Sequence, residues 1–157
     1  MADAPPLHPD LAPLAFLLGS WRGRGHGDYP TIEAFDYLEV VTFSHVGKAF
    51  IAYAQRTSDA ATGAPLHAET GYLRPVDAET AEFVVVQPSG IVELHDVAIT
   101  ATSLTMASNQ VVTTRSAKRV DEVRRRVVVD GDRLDYEVDM AAVGQPMHRH
   151  LVASLER

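Results

Sequence analysis

Gly19-Ser20-Trp21-Arg22-Gly23-Arg24-Gly25 follows the first apolar segment of the chain and holds its only tryptophan. Glycine stands at every second position around that residue. Alternate residues of a strand share one face, so Gly19, Trp21, Gly23 and Gly25 all point the same way. One large ring then stands on a floor without side chains. That suits the end of a small barrel, where the indole plugs the interior and the glycines let the sheet coil sharply. Taken alone, the stretch reads equally well as a glycine-rich turn beside a core tryptophan. Its flanks favour the barrel.

Upstream, the proline-rich segment Met1 to Pro9 reads as a flexible tail. Asp10 is a fitting N-cap for a short helix over Leu11 to Leu18, with Pro13 tolerable in the first turn and Gly19 ending it. Leu11, Leu14, Phe16, Leu17 and Leu18 nearly encircle that helix, so it has to be buried. Closing one end of a barrel is the simplest way to bury it.

Downstream, almost every segment reads as strand. Ala34 to Phe43 carries Phe35, Tyr37, Val41 and Phe43 in alternation, and Lys48 to Arg56 alternates Phe50, Ala52 and Ala54 with Ile51 and Tyr53. Further strands are expected over Pro65 to Arg74, Glu82 to Gln87, Ile91 to Thr100, Ser103 to Ala107, Ala117 to Val129, Arg133 to Met140 and Pro146 to Glu156. Asp130-Gly131-Asp132 is a strong tight-hairpin signal. Ala61-Thr62-Gly63, Pro88-Ser89-Gly90 and Val143-Gly144-Gln145 are weaker signals of the same kind. No second helical pattern follows, which argues against a parallel βαβ sheet. Sequential hairpins in this number must deal with their edges, and closure does so most simply, with a two-sheet sandwich as the competing architecture. The reading is an all-β fold: an antiparallel up-and-down barrel of ten strands with one short N-terminal helix, forming a single domain over residues 10–157.

Composition narrows the function classes. A net charge of −7 argues against a general nucleic-acid binder, which presents a basic field. The one dense basic run, Arg124-Arg125-Arg126, sits among acidic neighbours and reads as a solvated face. The chain has no cysteine, so disulfides, thiolate nucleophiles and cysteine metal sites are excluded. No basic region followed by an apolar core opens the sequence, and no apolar run approaches membrane-spanning length. The expectation is a cytoplasmic protein without a membrane partner.

Seven histidines are the main chemical resource. In the last strand, His148 and His150 lie on one face about 7 Å apart, with Arg149 on the other. Both are therefore candidates for the interior, followed on that face by Val152. A neutral imidazole there can ligate a metal or serve as a hydrogen-bonded barrel residue. His67, in Pro65-Leu66-His67-Ala68-Glu69, can face them only if register allows. His95 follows Glu93 in an acidic run that reads as exposed, and His8, His26 and His45 fall in terminal or turn segments; all four are expected at the surface. Serine-nucleophile, phosphate-loop and dinucleotide motifs do not occur.

The glycine-tryptophan stretch resembles the Gly-x-Trp-x-Gly-x-Gly motif of the nitrobindin family. The resemblance continues through Tyr29-Pro30-Thr31-Ile32, Phe35-Asp36-Tyr37-Leu38-Glu39, His45-Val46-Gly47-Lys48, the run from Leu66 to Arg74, Pro88-Ser89-Gly90 and Val143-Gly144-Gln145-Pro146, and closes on His150-Leu151-Val152-Ala153-Ser154-Leu155. It implies a barrel related to fatty-acid-binding and lipocalin folds that binds one haem b per subunit at its mouth. It implies His150 as the axial ligand to the haem iron, Thr31 as a haem contact, and Leu66, His67 and Met140 on the distal side. It further implies ferric chemistry that isomerises peroxynitrite to nitrate and a capacity to bind nitric oxide, in a monomer or homodimer. No catalytic side chain is needed beyond the iron, although His67 can orient a ligand. Two departures stand out: Arg22 and Arg24 charge the glycine motif, and His148 stands where a polar residue such as glutamine is expected. The alternatives are a carrier of fatty acids or other apolar ligands, and a zinc enzyme using His148, His150 and His67.

Overall fold

The N-terminal helix is a 3-10 helix, Pro9–Leu17, and its buried residues Leu11, Leu14 and Leu17 repeat every three positions. Three is the period at which side chains of such a helix eclipse. Pro13 inside it has no N–H to give and crowds the carbonyl four residues back, which discourages an α-helix. The N-cap is His8 rather than Asp10: the His8 ring accepts from the Asp10 N–H at 3.2 Å. Gly19 is not the helix terminator either. Leu18 is already extended, and Gly19 opens the first strand at φ +133, a conformation open to glycine.

The computed structural model describes residues 4–157, so the first three residues of the segment expected as a tail lie outside the described residues. Ten strands follow the helix: β1 (Gly19–Tyr29), β2 (Ile32–Ser44), β3 (Ile51–Asp59), β4 (Pro65–Pro75), β5 (Thr80–Gln87), β6 (Ile91–Ile99), β7 (Ser103–Thr113), β8 (Val120–Asp130), β9 (Arg133–Ala142) and β10 (His148–Glu156). Each pairs antiparallel with its neighbours in sequence, and β1 pairs with β10, which closes the barrel. Closure leaves no unpaired edge. The expected hairpin at Asp130-Gly131-Asp132 is present, with Asp130 paired to Arg133 and Gly131 at φ +59. The clearest boundary error is β7, which runs on to Thr113 instead of stopping at Ala107.

The two ends of the barrel differ. At the end where β1 begins, the 3-10 helix lies across the opening and the Trp21 indole donates to the Leu17 carbonyl at 2.7 Å. Arg157, the last residue, places its guanidinium 4.4 Å from the Trp21 ring centre and donates to the carbonyls of Leu18 and Phe16. That end is sealed. Along β1 the glycine face does as expected: Trp21 is inward, and Arg22 and Arg24 are exposed. The glycines beyond Trp21 make room for rings from the next strand. A Cβ on Gly25 would overlap the Tyr37 ring, and one on Gly27 would overlap Phe35.

At the opposite end the ladders slip. Register shifts leave an extra residue at Leu66 in β4, at Asp121 in β8 and at His150 in β10, and another separates Gly27 from Tyr29 on the β1–β2 ladder. Bulges of this kind bend a barrel rim and re-aim individual side chains. This end stays open, and it is where the interior is reached.

Candidate functional site

His150 occupies its bulge in β10: Arg149 pairs with Asp139 and Leu151 with the very next residue, Val138, so His150 has no partner. The extra residue resets the alternation. Leu151, Ala153 and Leu155 then face the interior, and Val152 faces outward, against the expectation from simple alternation. His150 itself lines the cavity mouth, half-buried, while His148 is exposed and bonds through Nδ1 to the Arg149 carbonyl at 2.6 Å. The expected pair of inward histidines is thus one inward and one outward, because a bulge separates them. Between them stands the Tyr29 ring, edge-on to both, its hydroxyl tied into the β9 backbone at Met140 and Ala142.

The His150 Nδ1 lies 3.1 Å from the Asp28 carbonyl oxygen. A carbonyl only accepts, so Nδ1 carries the proton and Nε2 keeps its lone pair. Burial lowers the His150 pKa below the ordinary histidine value, against the opposing pull of the Asp28 carbonyl. The ring is therefore held in one tautomer and kept neutral, the state in which imidazole binds a metal.

Leu66, His67 and Met140 line the same cavity as His150. Leu66 reaches it from the β4 bulge, and His67 sits one residue further along, its Nε2 3.5 Å from Glu69. Thr31 does not line the cavity; it is exposed at the tip of the β1–β2 turn, and its neighbour Ile32 contributes to the lining instead. The cavity measures about 540 Å³ and runs from this rim down to Phe43, Met106 and Leu134. That size lies within the range of small-molecule and cofactor sites, and the walls are predominantly apolar.

Below the mouth the lining turns charged. Arg125 of β8 points inward, its side chain only 12% exposed, and donates to both Glu69 oxygens and to Glu93 at 2.6 to 3.1 Å. The basic run is thus a solvated face only at Arg124 and Arg126. Alternation on β8 puts Val123, Arg125 and Val127 on one side. His95 is a second correction. It is 1% exposed, and its Nε2 lies 2.7 Å from Glu93. His26 is exposed and His8 and His45 are partly so, as expected. The signal for His95 was legible: Ile91, Glu93, His95, Val97 and Ile99 alternate as one face, but two acidic neighbours made the segment look solvated.

Burial would raise the Glu69 and Glu93 carboxyls, but the Arg125 charge and the hydrogen bonds around them hold both below the usual range. Glu39 differs. Desolvation pushes it up to about 7, only partly offset by the hydroxyl of Tyr136. Sequence reasoning missed this belt entirely, because its members come from β2, β4, β6 and β8.

The arrangement fits a planar apolar cofactor with a metal at its centre. It offers one neutral, oriented imidazole at an open rim, aliphatic side chains beside it, and a roomy chamber beneath. It does not fit a zinc site of three histidines, since His148 points away and no three metal-ligating side chains converge among the described residues.

Comparison with known proteins points to the same class of cofactor. The family described as a THAP4-like, heme-binding beta-barrel domain matches residues 10–157. A protein named peroxynitrite isomerase 1 from Mycolicibacterium paratuberculosis is 54% identical over 155 residues, covering 96% of each chain. Peroxynitrite isomerase 2 from Mycobacterium marinum is 49% identical, again with 96% of each chain covered. The crystal structure of Rv2717c from M. tuberculosis superposes with a TM-score of 0.95 at 45% identity, covering 97% of this chain and 99% of that one.

Proposed function

The chain belongs to the family of THAP4-like, heme-binding β-barrel domains, and from that premise we propose that it is a haem-dependent peroxynitrite isomerase, carrying one haem b per subunit and also binding nitric oxide. The observation that carries this reading is the bulged His150 at the rim, with its proton committed to the Asp28 carbonyl and its other nitrogen left basic. Relatives named for the isomerase activity support it across nearly the whole chain.

His150 would hold the haem iron through Nε2, its ring orientation fixed by the Asp28 carbonyl. When bound, the haem supplies a ferric Lewis acid at which peroxynitrite rearranges to nitrate with no net gain or loss of electrons. Leu66 and Met140 give this side of the cavity apolar walls and offer no hydrogen-bond donor that would favour dioxygen. His67, restrained by Glu69, orients the anion. No protein nucleophile takes part.

The fatty-acid carrier is the weaker reading, for a reason internal to the cavity. Small barrels that hold carboxylates need a free inward cation. Here Nε, Nη1 and Nη2 of Arg125 already donate to Glu69 or Glu93. The other lining cation, Lys118, is exposed at the surface rather than turned into the chamber. A fatty-acid head reaching the interior would therefore meet the Glu39, Glu69 and Glu93 carboxyls without a free cation beside them.

The test is an absorbance spectrum of the purified protein before and after hemin, then after nitric oxide, followed by nitrate yield from added peroxynitrite. The expected result is a stoichiometric Soret band that responds to nitric oxide and a nitrate yield above that of buffer. A His150→Ala protein that keeps its full haem complement overturns the ligand assignment.

A further inference from the structure

Glu39 is a buried carboxyl for which the reaction above has no use. It is 3% exposed, on the inward face of β2. The groups packed around it are Tyr37 on its own strand, Gln55 from β3, Glu69 from β4, Arg125 from β8 and Tyr136 from β9. Arg125 is the only cation among them, and four of its five N–H groups are committed to Glu69 and Glu93. Glu39 is therefore a buried carboxyl among uncharged hydrogen-bonding groups and a second carboxylate, with no counter-ion of its own. Burying such a charge is costly, and the usual resolution is to hold a proton.

A path for that proton is built beside it. The Tyr136 hydroxyl donates to Glu39 Oε2. With that hydrogen spent, the Tyr37 hydroxyl, 2.7 Å away, is the donor to the Tyr136 oxygen. The three groups thus form a chain directed from Tyr37 through Tyr136 to Glu39. Glu39 pairs with Gly23 and Tyr37 with Gly25, so Tyr37 stands one inward step nearer the mouth. All three line the cavity.

We propose that Glu39 is the proton store of this cavity, reached from it through Tyr37 and Tyr136, and that it takes the proton of a small weak acid bound in the chamber above. The ligand proton passes to the Tyr37 oxygen, the Tyr37 proton to Tyr136 and the Tyr136 proton to Glu39. Three O–H bonds form as the ligand's bond to hydrogen and two phenolic O–H bonds break, and neither tyrosine is left charged. The reverse sequence returns the proton when the ligand leaves. Burial pushes both phenols up, so neither becomes the resting site of the charge. Glu39, pushed up to about 7, is present in both forms under neutral conditions, and it is the ionised form that takes the ligand's proton. Glu39 is a positioning residue here: it acts on the ligand through the two hydroxyls. The identity of the ligand site rests on the haem reading above, whereas the proton store does not.

Two measurements separate these. In the haem-free protein, carboxyl carbon resonances followed by NMR between about pH 4 and 9 should include one glutamate with its midpoint near neutrality. That resonance should be absent in Glu39→Gln and displaced in Tyr136→Phe. If every glutamate titrates in the ordinary carboxylate range, the store does not exist. In the hemin-loaded protein, hydrogen cyanide serves as a weak-acid probe, read at the Soret band. Its capture at neutral pH should slow by about tenfold or more in both Glu39→Gln and Tyr136→Phe, as expected for loss of a positioned base. Capture at the wild-type rate in both variants overturns the relay. A protein that takes up no hemin removes the haem reading, and the carboxyl titration then decides on the proton store by itself.

Discussion

The closed end and the open end of this barrel share the inward face of β1 and use it in opposite ways. At the closed end Trp21 is fully buried, its N–H is bonded to Leu17, and Arg157 lies over its ring. Toward the open end the same face carries Gly25 and Gly27, and the space beside them goes to Tyr37 and Phe35 from β2. The closed end is locked by an apolar plug whose one buried polar group, the Trp21 N–H, is satisfied. The open end is bent by unpaired residues, and a half-buried imidazole occupies one of them. Stability and chemistry are thereby assigned to different ends of one strand pair, with a charged belt between them. A rim built from bulges has few contacts to lose, which is what allows it to hold a reactive group.

The sharpest way to break this division is Trp21→Ala. Removing a fully buried indole should cost about 3–5 kcal/mol in urea unfolding, while hemin uptake per folded molecule stays near that of the wild type. Loss of hemin binding in the folded variant would show that the two ends are coupled.

Next comes the belt. Glu39 is raised from the ordinary 4.5 to about 7, so the unfolded chain releases that proton first as pH rises. Its contribution to stability is therefore complete below about 4.5, declines as pH climbs toward 7, and is absent above. The difference amounts to about 3 kcal/mol. Glu39→Gln, which cannot ionise, should gain on the wild type by up to that amount across this interval in denaturant midpoints measured against pH. Two coincident stability profiles would mean that Glu39 ionises normally.

A smaller effect tests the glycine floor. Gly25→Ala puts a methyl into the Tyr37 ring and should cost about 1–3 kcal/mol, with a shift in tyrosine absorbance as the Tyr37–Tyr136 bond is displaced. An unperturbed tyrosine spectrum would mean that the ring has other room.

The smallest effect on folding is expected at the mouth. His150→Ala should change the stability of the haem-free protein by well under about 1 kcal/mol, because the ring is only half-buried. Its consequence is in haem retention. Burial lowers the His150 pKa, so the ring stays neutral until the pH drops below the ordinary histidine value. Haem should therefore stay bound at neutral pH and leave below about pH 6, read as decay of the Soret band. Release beginning above neutrality would contradict the ligand assignment.

Much of this was legible in residue order. Period-two alternation and the Gly-containing turns placed all ten strands and the closure, because strand pairing between chain neighbours is a local matter. The errors came where a local cue overrode the alternation. At His95, acidic neighbours suggested solvent, and at Arg125 a run of three arginines did the same. In both cases the flanking valines and isoleucines pointed inward, and the structure follows them because the charges are matched across the barrel.

The sequence by itself determined the glycine face around Trp21, the number and order of hairpins, and the resemblance that named His150. Tertiary structure alone decided that His150 turns inward and His148 outward, since a bulge exists only relative to the neighbouring strand. It alone brought Glu69, Glu93 and Arg125 together and left Glu39 without a cation. Whether a buried charge finds its partner is settled by register across several strands, and no single segment of chain contains that information.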